Sequence, residues 1–564
     1  MKKALFFVSY CFFLYSFSAC FAQIQLNPSP TRVVGQDTLT QGAPNLVEGR
    51  EFNSPQGVAL DLSQNPPILY VADTGNNRVL GFRNAQGAGN GQKADLVIGQ
   101  VDFLTTGAQG PPRQGGGQFR STGLTAPVGL AVDAAGNLYV VDAGNNRILR
   151  FPKPFSQTNL APDLVIGQTG LNGFAPNPNG ASATTLALTS GSNIFQAYIA
   201  LDPRTGDLFA ADPGNNRVLR YPAALLGSNA KNGPAADLVL GQLDFATTTR
   251  NTDPNSVNGF AAPTGLAFDQ SGHLFVSESQ AGVRSRVLVY TNPSRSGQPA
   301  TRIIGVVPSN VNPQPLPVSE QQFAGSVSGL FSINNGLGVA DTFNNRLLVF
   351  RPVDAFSSDV LSQRAQLVVG QPDFSSSALN QGFPEAGADR LFGPTAAAAS
   401  GTELYVADTN NNRVLVLPYS GSAVGSATRV FGQDQFNFNA PNLVEGKEFR
   451  FQSGGQGSPE AGIVADLTSN PPHLYVSDTF NHRVLGYKDL RTIKAGDRAD
   501  IVIGQPDFSH TVLNYPSGDV NVPTASSLFL PTGLTLDPAG NLYVADSGNG
   551  RVLRFANPFT APQS

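Results

Sequence analysis

Short apolar runs of five or six residues return at even distances along this chain, each closed by a polar turn. The clearest copy is Leu69-Tyr70-Val71-Ala72-Asp73-Thr74-Gly75-Asn76-Asn77-Arg78-Val79-Leu80. Aligned copies put an acidic residue at Asp73, Asp142, Asp212, Glu278, Asp341, Asp408, Asp478 and Asp546, in steps of 69, 70, 66, 63, 67, 70 and 68 residues. One unit supplies four strands: a (Gly129 to Asp133), b (Leu138 to Asp142), c (Arg147 to Phe151) and d (Asp163 to Gly167). These runs do not alternate apolar with polar, as a strand with one wet face does. Sheets apolar on both faces must be covered on both, so the units have to stack on one another.

Stacking around an axis predicts an all-β fold, a single β-propeller of eight four-stranded blades. Strand d appears first, at Arg32 to Gln36, and the last unit stops after strand c at Arg551 to Phe555. The N-terminal strand is therefore expected to complete the last blade and remove exposed sheet edges. On this reading, residues 23–556 form the propeller and 557–564 a tail. One feature points to smaller rings instead: Ala43 to Phe52 recurs closely at Ala440 to Phe449, six units later. Two leftover units cannot close a ring, so a single ring is expected.

The run at Leu69 to Leu80, with Pro127 to Asp133 as a first strand, resembles the signature of the NHL-repeat family. The resemblance covers residues 30–556. It implies a propeller scaffold used to recognise protein, peptide, glycan or RNA, with a few lyase relatives, and it speaks to fold more than to function. Family propellers more often have about six shorter repeats, so count and length both depart here.

Composition refines this picture. Lys2 and Lys3 followed by the apolar stretch Ala4 to Phe17 resemble a secretory signal over residues 1–22, with cleavage after Ala22. Secretion or a periplasmic location follows, in a bacterial host. A lipobox at Phe17 to Cys20 is the alternative and would lipidate Cys20, anchoring the protein to the envelope; without it no membrane contact is expected. Both cysteines, Cys11 and Cys20, lie in this leader, so neither disulfides nor thiolate chemistry are expected in the mature chain. Without the leader lysines, 34 basic residues face 40 acidic ones. That balance argues against nucleic acid as a partner.

The loudest polar signal is a trio in the b–c hairpin: Asp73, Asn76, Arg78; Asp142, Asn145, Arg147; Asp212, Asn215, Arg217; Asp341, Asn344, Arg346; Asp408, Asn411, Arg413; Asp478, Asn481, Arg483; and Asp546, Asn549, Arg551. Repetition in nearly every unit reads as hairpin architecture, since catalytic groups break symmetry. Asp61, Asp133, Asp202, Asp269, Asp466 and Asp537 end strand a and read as turn caps. Asp202 to Asp207 comes nearest to a calcium loop, but Arg204 inside it opposes a cation. Gln36, Gln100, Gln168, Gln242, Gln371, Gln433 and Gln505 follow strand d and are expected to bond loop backbone. His273, His473, His482 and His510 read as dispersed surface residues, not the three close ligands that catalytic zinc needs. Unit four departs at its turn, Ser277 to Arg286.

Long d–a connections, Val101–Ala126, Thr169–Asn193, Asp434–Glu460 and Pro506–Leu530, exceed what a compact domain needs. They leave on the same face as the b–c turns and carry few charges. The expected function is an extracytoplasmic monomeric scaffold that binds a protein, peptide or glycan there, with no cofactor, metal or catalytic residue. The alternative is a metal-dependent propeller lyase or lactonase.

Overall fold

The computed structural model describes residues 33, 34, 36, 43–110, 121–157, 160–278, 285–306, 317–323, 325, 327, 329–358, 361, 363–451 and 461–560. The expected leader with Cys20, Arg32 and Gly35 of the first d strand, the unit-four turn 279–284 and the final four residues, 561–564, lie outside the described residues. The described chain is all-β: short antiparallel strands joined by single 3-10 turns. No helix among the described residues is long and apolar enough to cross a membrane.

Seven described hairpins are made the same way. In the first, strand b, Ile68–Asp73, ends in the turn Thr74–Asn76, Asn77 takes the left-handed conformation (φ 53°), and strand c, Arg78–Phe82, pairs back with Asp73 opposite Arg78. Asparagine tolerates that conformation better than most residues, which explains its recurrence there. Gly75 serves another end. A Cβ on it would lie 2.6 Å from the Asn53 side chain, so glycine allows the preceding loop to press onto the turn.

Among the described residues, seven four-stranded sheets in meander order a-b-c-d and one three-stranded sheet in order a-b-c result. Their inner strands are Gly57–Asp61, Pro127–Val132, Ile199–Leu201, Pro263–Phe268, Leu330–Ile333, Pro394–Ser400, Ile463–Asp466 and Pro531–Leu536, for sheets one to eight. A small hairpin, Thr189–Ser190 with Asn193–Ile194, sits in the loop before sheet three.

The joint between successive sheets has its own chemistry. The left-handed asparagine of one sheet accepts the N–H of a residue just before the next sheet: Asn77 from Ala126 (2.9 Å), Asn146 from Leu188 (2.7 Å), Asn216 from Ala262 (2.9 Å) and Asn345 from Gly393 (2.8 Å). Asn412 of sheet six makes this bond at 2.8 Å with Ser54, which precedes sheet one. The turn threonine agrees: Thr74 donates to Pro127 O, and Thr409 of sheet six donates to Pro55 O, both at 2.7 Å. Phe82 of sheet one meets Phe431 of sheet six edge-on, ring centroids 4.9 Å apart.

Sheet six therefore lies against sheet one, and the ring has six sheets. The single eight-blade ring expected from the repeat count is overturned, and with it the reading of residues 23–556 as one propeller. Homologous units all offer the same stacking faces, so their number does not say which pair closes the circle. The repeated segment six units apart does mark the seam. Leu46 and Leu443 exchange backbone hydrogen bonds at 3.1 and 3.0 Å, and the two segments cross there.

Sheets seven and eight pack on each other as a separate arc, through Tyr475, Val484 and Ile503 of one and Leu542 and Val544 of the other. Sheet eight has three strands, Pro531–Leu536, Leu542–Asp546 and Arg551–Phe555. Of the N-terminal residues expected to complete it, Val34 and Gln36 lie elsewhere. Val34 packs with Phe449, Val476 and Leu485 beside sheet seven, and Gln36 O accepts the Gly496 N–H at 3.2 Å.

Candidate binding face

The polar trio lies at the foot of the loop face and is buried. Asp73 Oδ2 accepts from Asn76 (2.8 Å) and from Arg78 Nε (2.6 Å), while Oδ1 accepts the Asn53 N–H (2.7 Å). Arg78 then donates to Phe103 O (2.7 Å) in the loop leaving its sheet and to Glu51 O (3.1 Å) in the loop entering it. Arg147, Arg217, Arg346, Arg413 and Arg483 repeat this arrangement with their own loops. In the last sheet, Arg551 bonds Asp546 at 2.7 Å and also reaches Thr524 O and Ser527 O. Burial pushes the Asp73 carboxyl up, and Arg78, the Asn53 amide and Asn76 pull against it. In sheet four, Glu278 takes the aspartate's part and bonds Arg286 at 2.6 Å.

A second device holds the loops from the other side. Gln100 Nε2 donates to Asn77 O (2.9 Å) and Gly107 O (2.8 Å), and Gln168, Gln242, Gln371, Gln433 and Gln505 make the same pair of bonds. Gln36 bonds Ala43 O and Asn45 O. Each long loop is thus pinned by an arginine and a glutamine whose polar atoms face inward.

Among the side chains that the pinned loops present outward are many large apolar ones. Of fifteen large hydrophobic side chains exposed among the described residues, nine stand on d–a loops: Val101, Leu104, Phe174, Ile194, Leu243, Leu379, Phe383, Val520 and Val522. Phe343, in a b–c turn of the same face, is a tenth. Loop composition hinted at this face, but which side chains point outward follows only from the loop backbone.

Tyr198 reaches across the ring. Tyr198 OH, just before sheet three, donates to Gln56 O (3.0 Å), just before sheet one, and lies 3.2 Å from Thr395 O in the first strand of sheet six. Sequence reading did not single it out, since nothing marks which tyrosine reaches across.

The four histidines are not surface residues as expected. His273 is buried against Asp269 (2.6 Å), and His473 is buried with Nδ1 on Lys488 O. His482 occupies the left-handed position of sheet seven, and its Nδ1 accepts the Leu530 N–H at 3.2 Å. Burial, helped by the Arg450 charge, pushes its pKa down to about 3. His510 bonds Asp507 (2.8 Å) and faces Glu385, Phe438 and Tyr515, where loops of the ring and of the arc meet. Among the described residues, no three of His, Cys, Asp and Glu gather as a metal site would need. At the calcium-like loop, Asp202 is engaged by Arg204 at 2.9 Å.

A family model described as NHL repeat matches residues 124–151 and 530–555, each spanning strands a to c of one sheet. The chain carries NHL repeats. It is 24% identical over 404 residues to the human NHL repeat-containing protein 2, covering 67% of its own length and 48%, about half, of that relative. Among solved structures, virginiamycin B lyase from Staphylococcus aureus aligns at 12% identity over 67% of this chain and 86% of that one, TM-score 0.34. The PQQ-bound aldose sugar dehydrogenase from Streptomyces coelicolor aligns at 17% identity over 72% and 98%, TM-score 0.35. Overlaps this loose assign no chemistry to this chain.

Proposed function

We propose that this NHL-repeat protein is an extracytoplasmic recognition scaffold whose d–a loop face binds a protein, peptide or glycan of low charge. The observation that carries this reading is the placement of the exposed apolar side chains, nine of fifteen on those loops. Apolar side chains left exposed on one face are a common mark of contact surfaces on soluble proteins. The inward-facing trio and glutamines support the same reading. They are architecture that makes the loops rigid, and a rigid surface loses less entropy when a partner docks.

Surface plasmon resonance of the immobilised protein against oligosaccharides, peptidoglycan fragments and peptides tests this. Binding is expected, and Leu243→Ser with Phe174→Ser should weaken it at least about tenfold, the effect of losing two anchors worth roughly 1 kcal/mol each, with the melting temperature unchanged. Absence of any binding, together with turnover of a lactone or ester substrate, would favour a lyase or lactonase and sink the scaffold reading.

A further inference from the structure

Two ends of the sheet-seven and sheet-eight arc are unfinished, and they are unfinished in complementary ways. At the trailing end, sheet eight has no outer strand among the described residues, and the face that any following sheet would cover is open. Val552 is 66% exposed, whereas Val414, its counterpart in sheet six, is 0% exposed against sheet one. Tyr543 is half-buried where its counterpart Tyr405 is fully buried. At the leading end, Ile463 of sheet seven is 70% exposed, while Val58 at the same place in sheet one is 7% exposed.

The leading end already holds part of a preceding sheet. Gly496 donates to Gln36 O (3.2 Å) as Gly91 of sheet one donates to Gln433 O (3.1 Å), just past the outer strand of sheet six. Asn45, nine residues beyond Gln36, accepts from Asn481 of sheet seven (2.9 Å), as Asn442, nine beyond Gln433, accepts from Asn76 of sheet one (2.8 Å). Val34, Gln36 and Asn45 thus stand toward sheet seven as Phe431, Gln433 and Asn442 stand toward sheet one. The three inner strands of that preceding sheet are missing among the described residues, and sheet eight consists of three inner strands without an outer one.

We infer that sheet eight of one copy docks in front of sheet seven of another, so that the second copy's N-terminal strand completes the first copy's sheet. The contact continues an interface that this molecule builds repeatedly between its own sheets, and it covers Val552, Tyr543 and Ile463 together. By the register of the other sheets, Val414 opposite Phe431 and Val484 opposite Ile503, Val34 falls opposite Val552. A head-to-tail joint of this kind closes into a ring when the turns add up. With joints like those of the six-sheet ring, three copies complete the circle. Gly550 replaces the joint-forming asparagine of sheet eight, so the contact lacks one hydrogen bond and is weaker than the internal joints. This sets aside the monomer expected from the sequence.

The test uses the full chain with Cys11→Ser and Cys20→Ser, carrying Val34→Cys in one tagged copy and Val552→Cys in a differently tagged one. Co-expression and mild oxidation should give a disulfide-linked pair of the two tags. Sedimentation of the unmodified chain should show a concentration-dependent trimer, and Val552→Asp should return it to a single copy with its circular dichroism unchanged. A chain that stays a single copy at every concentration overturns the inference. So does an oligomer without the 34–552 cross-link, or a double-cysteine chain that closes on itself.

Discussion

The five residues Leu-Tyr-Val-Ala-Asp occur in sheet one at 69–73 and again in sheet eight at 542–546. In sheet one all five are buried; in sheet eight Tyr543 and Ala545 are half-exposed, alternating with buried Leu542, Val544 and Asp546. The same letters fold into the same strand with the same hairpin, so local structure does not explain the difference. A neighbour does. Sheet one sits between sheets two and six, while sheet eight has sheet seven on one side only. The ring and the arc are therefore a comparison of one repeat with two partners against one repeat with a single partner.

The largest expected contrast concerns the buried ion pair. Arg413→Met in the ring leaves Asp408 charged and uncompensated where both side chains are buried, and should cost about 3–5 kcal/mol in denaturant unfolding. Arg551→Met in the arc, where the arginine is partly exposed, should cost about 1 kcal/mol. Equal losses would mean that the arc is as enclosed as the ring.

Acid should separate the two regions next. His482 has a folded pKa of about 3 against an ordinary 6.5, so below pH 6.5 the unfolded chain takes up the proton first. Stability then falls by about 1.4 kcal/mol for each pH unit from 6.5 toward 3. Calorimetry from pH 7 to 4 should show the arc's transition moving down, and His482→Asn, which keeps an acceptor for Leu530, should remove most of that shift. An unchanged slope would show that His482 is not held neutral.

The smallest contrast is a single hydroxyl. Thr409→Val removes the bond to Pro55 O at the ring seam and should cost about 1 kcal/mol. Ser547→Ala, at the matching position of sheet eight but exposed, should change stability by less than about 0.5 kcal/mol.

The repeat length, the four strands of each unit and the hairpin trio were legible because each rests on contacts only a few residues apart. Asp73, Asn76 and Arg78 meet wherever that turn forms, and Gln100 finds the carbonyl of Gly107 seven residues on. The candidate face was legible in outline, since loop lengths and strand order put the d–a loops on one side. Its outward side chains were not: Leu243 and Phe343 stand in no pattern that separates them from buried loop residues such as Leu186.

Sequence alone determined that the chain is a series of NHL-type four-stranded sheets obliged to stack, because each sheet is apolar on both faces. Only the tertiary structure decided where the stack turns back on itself. Every sheet can lie against every other, and the choice of sheet six for sheet one rests on long-range contacts, Asn412 with Ser54 and Phe431 with Phe82, between residues that any of the eight units could have supplied.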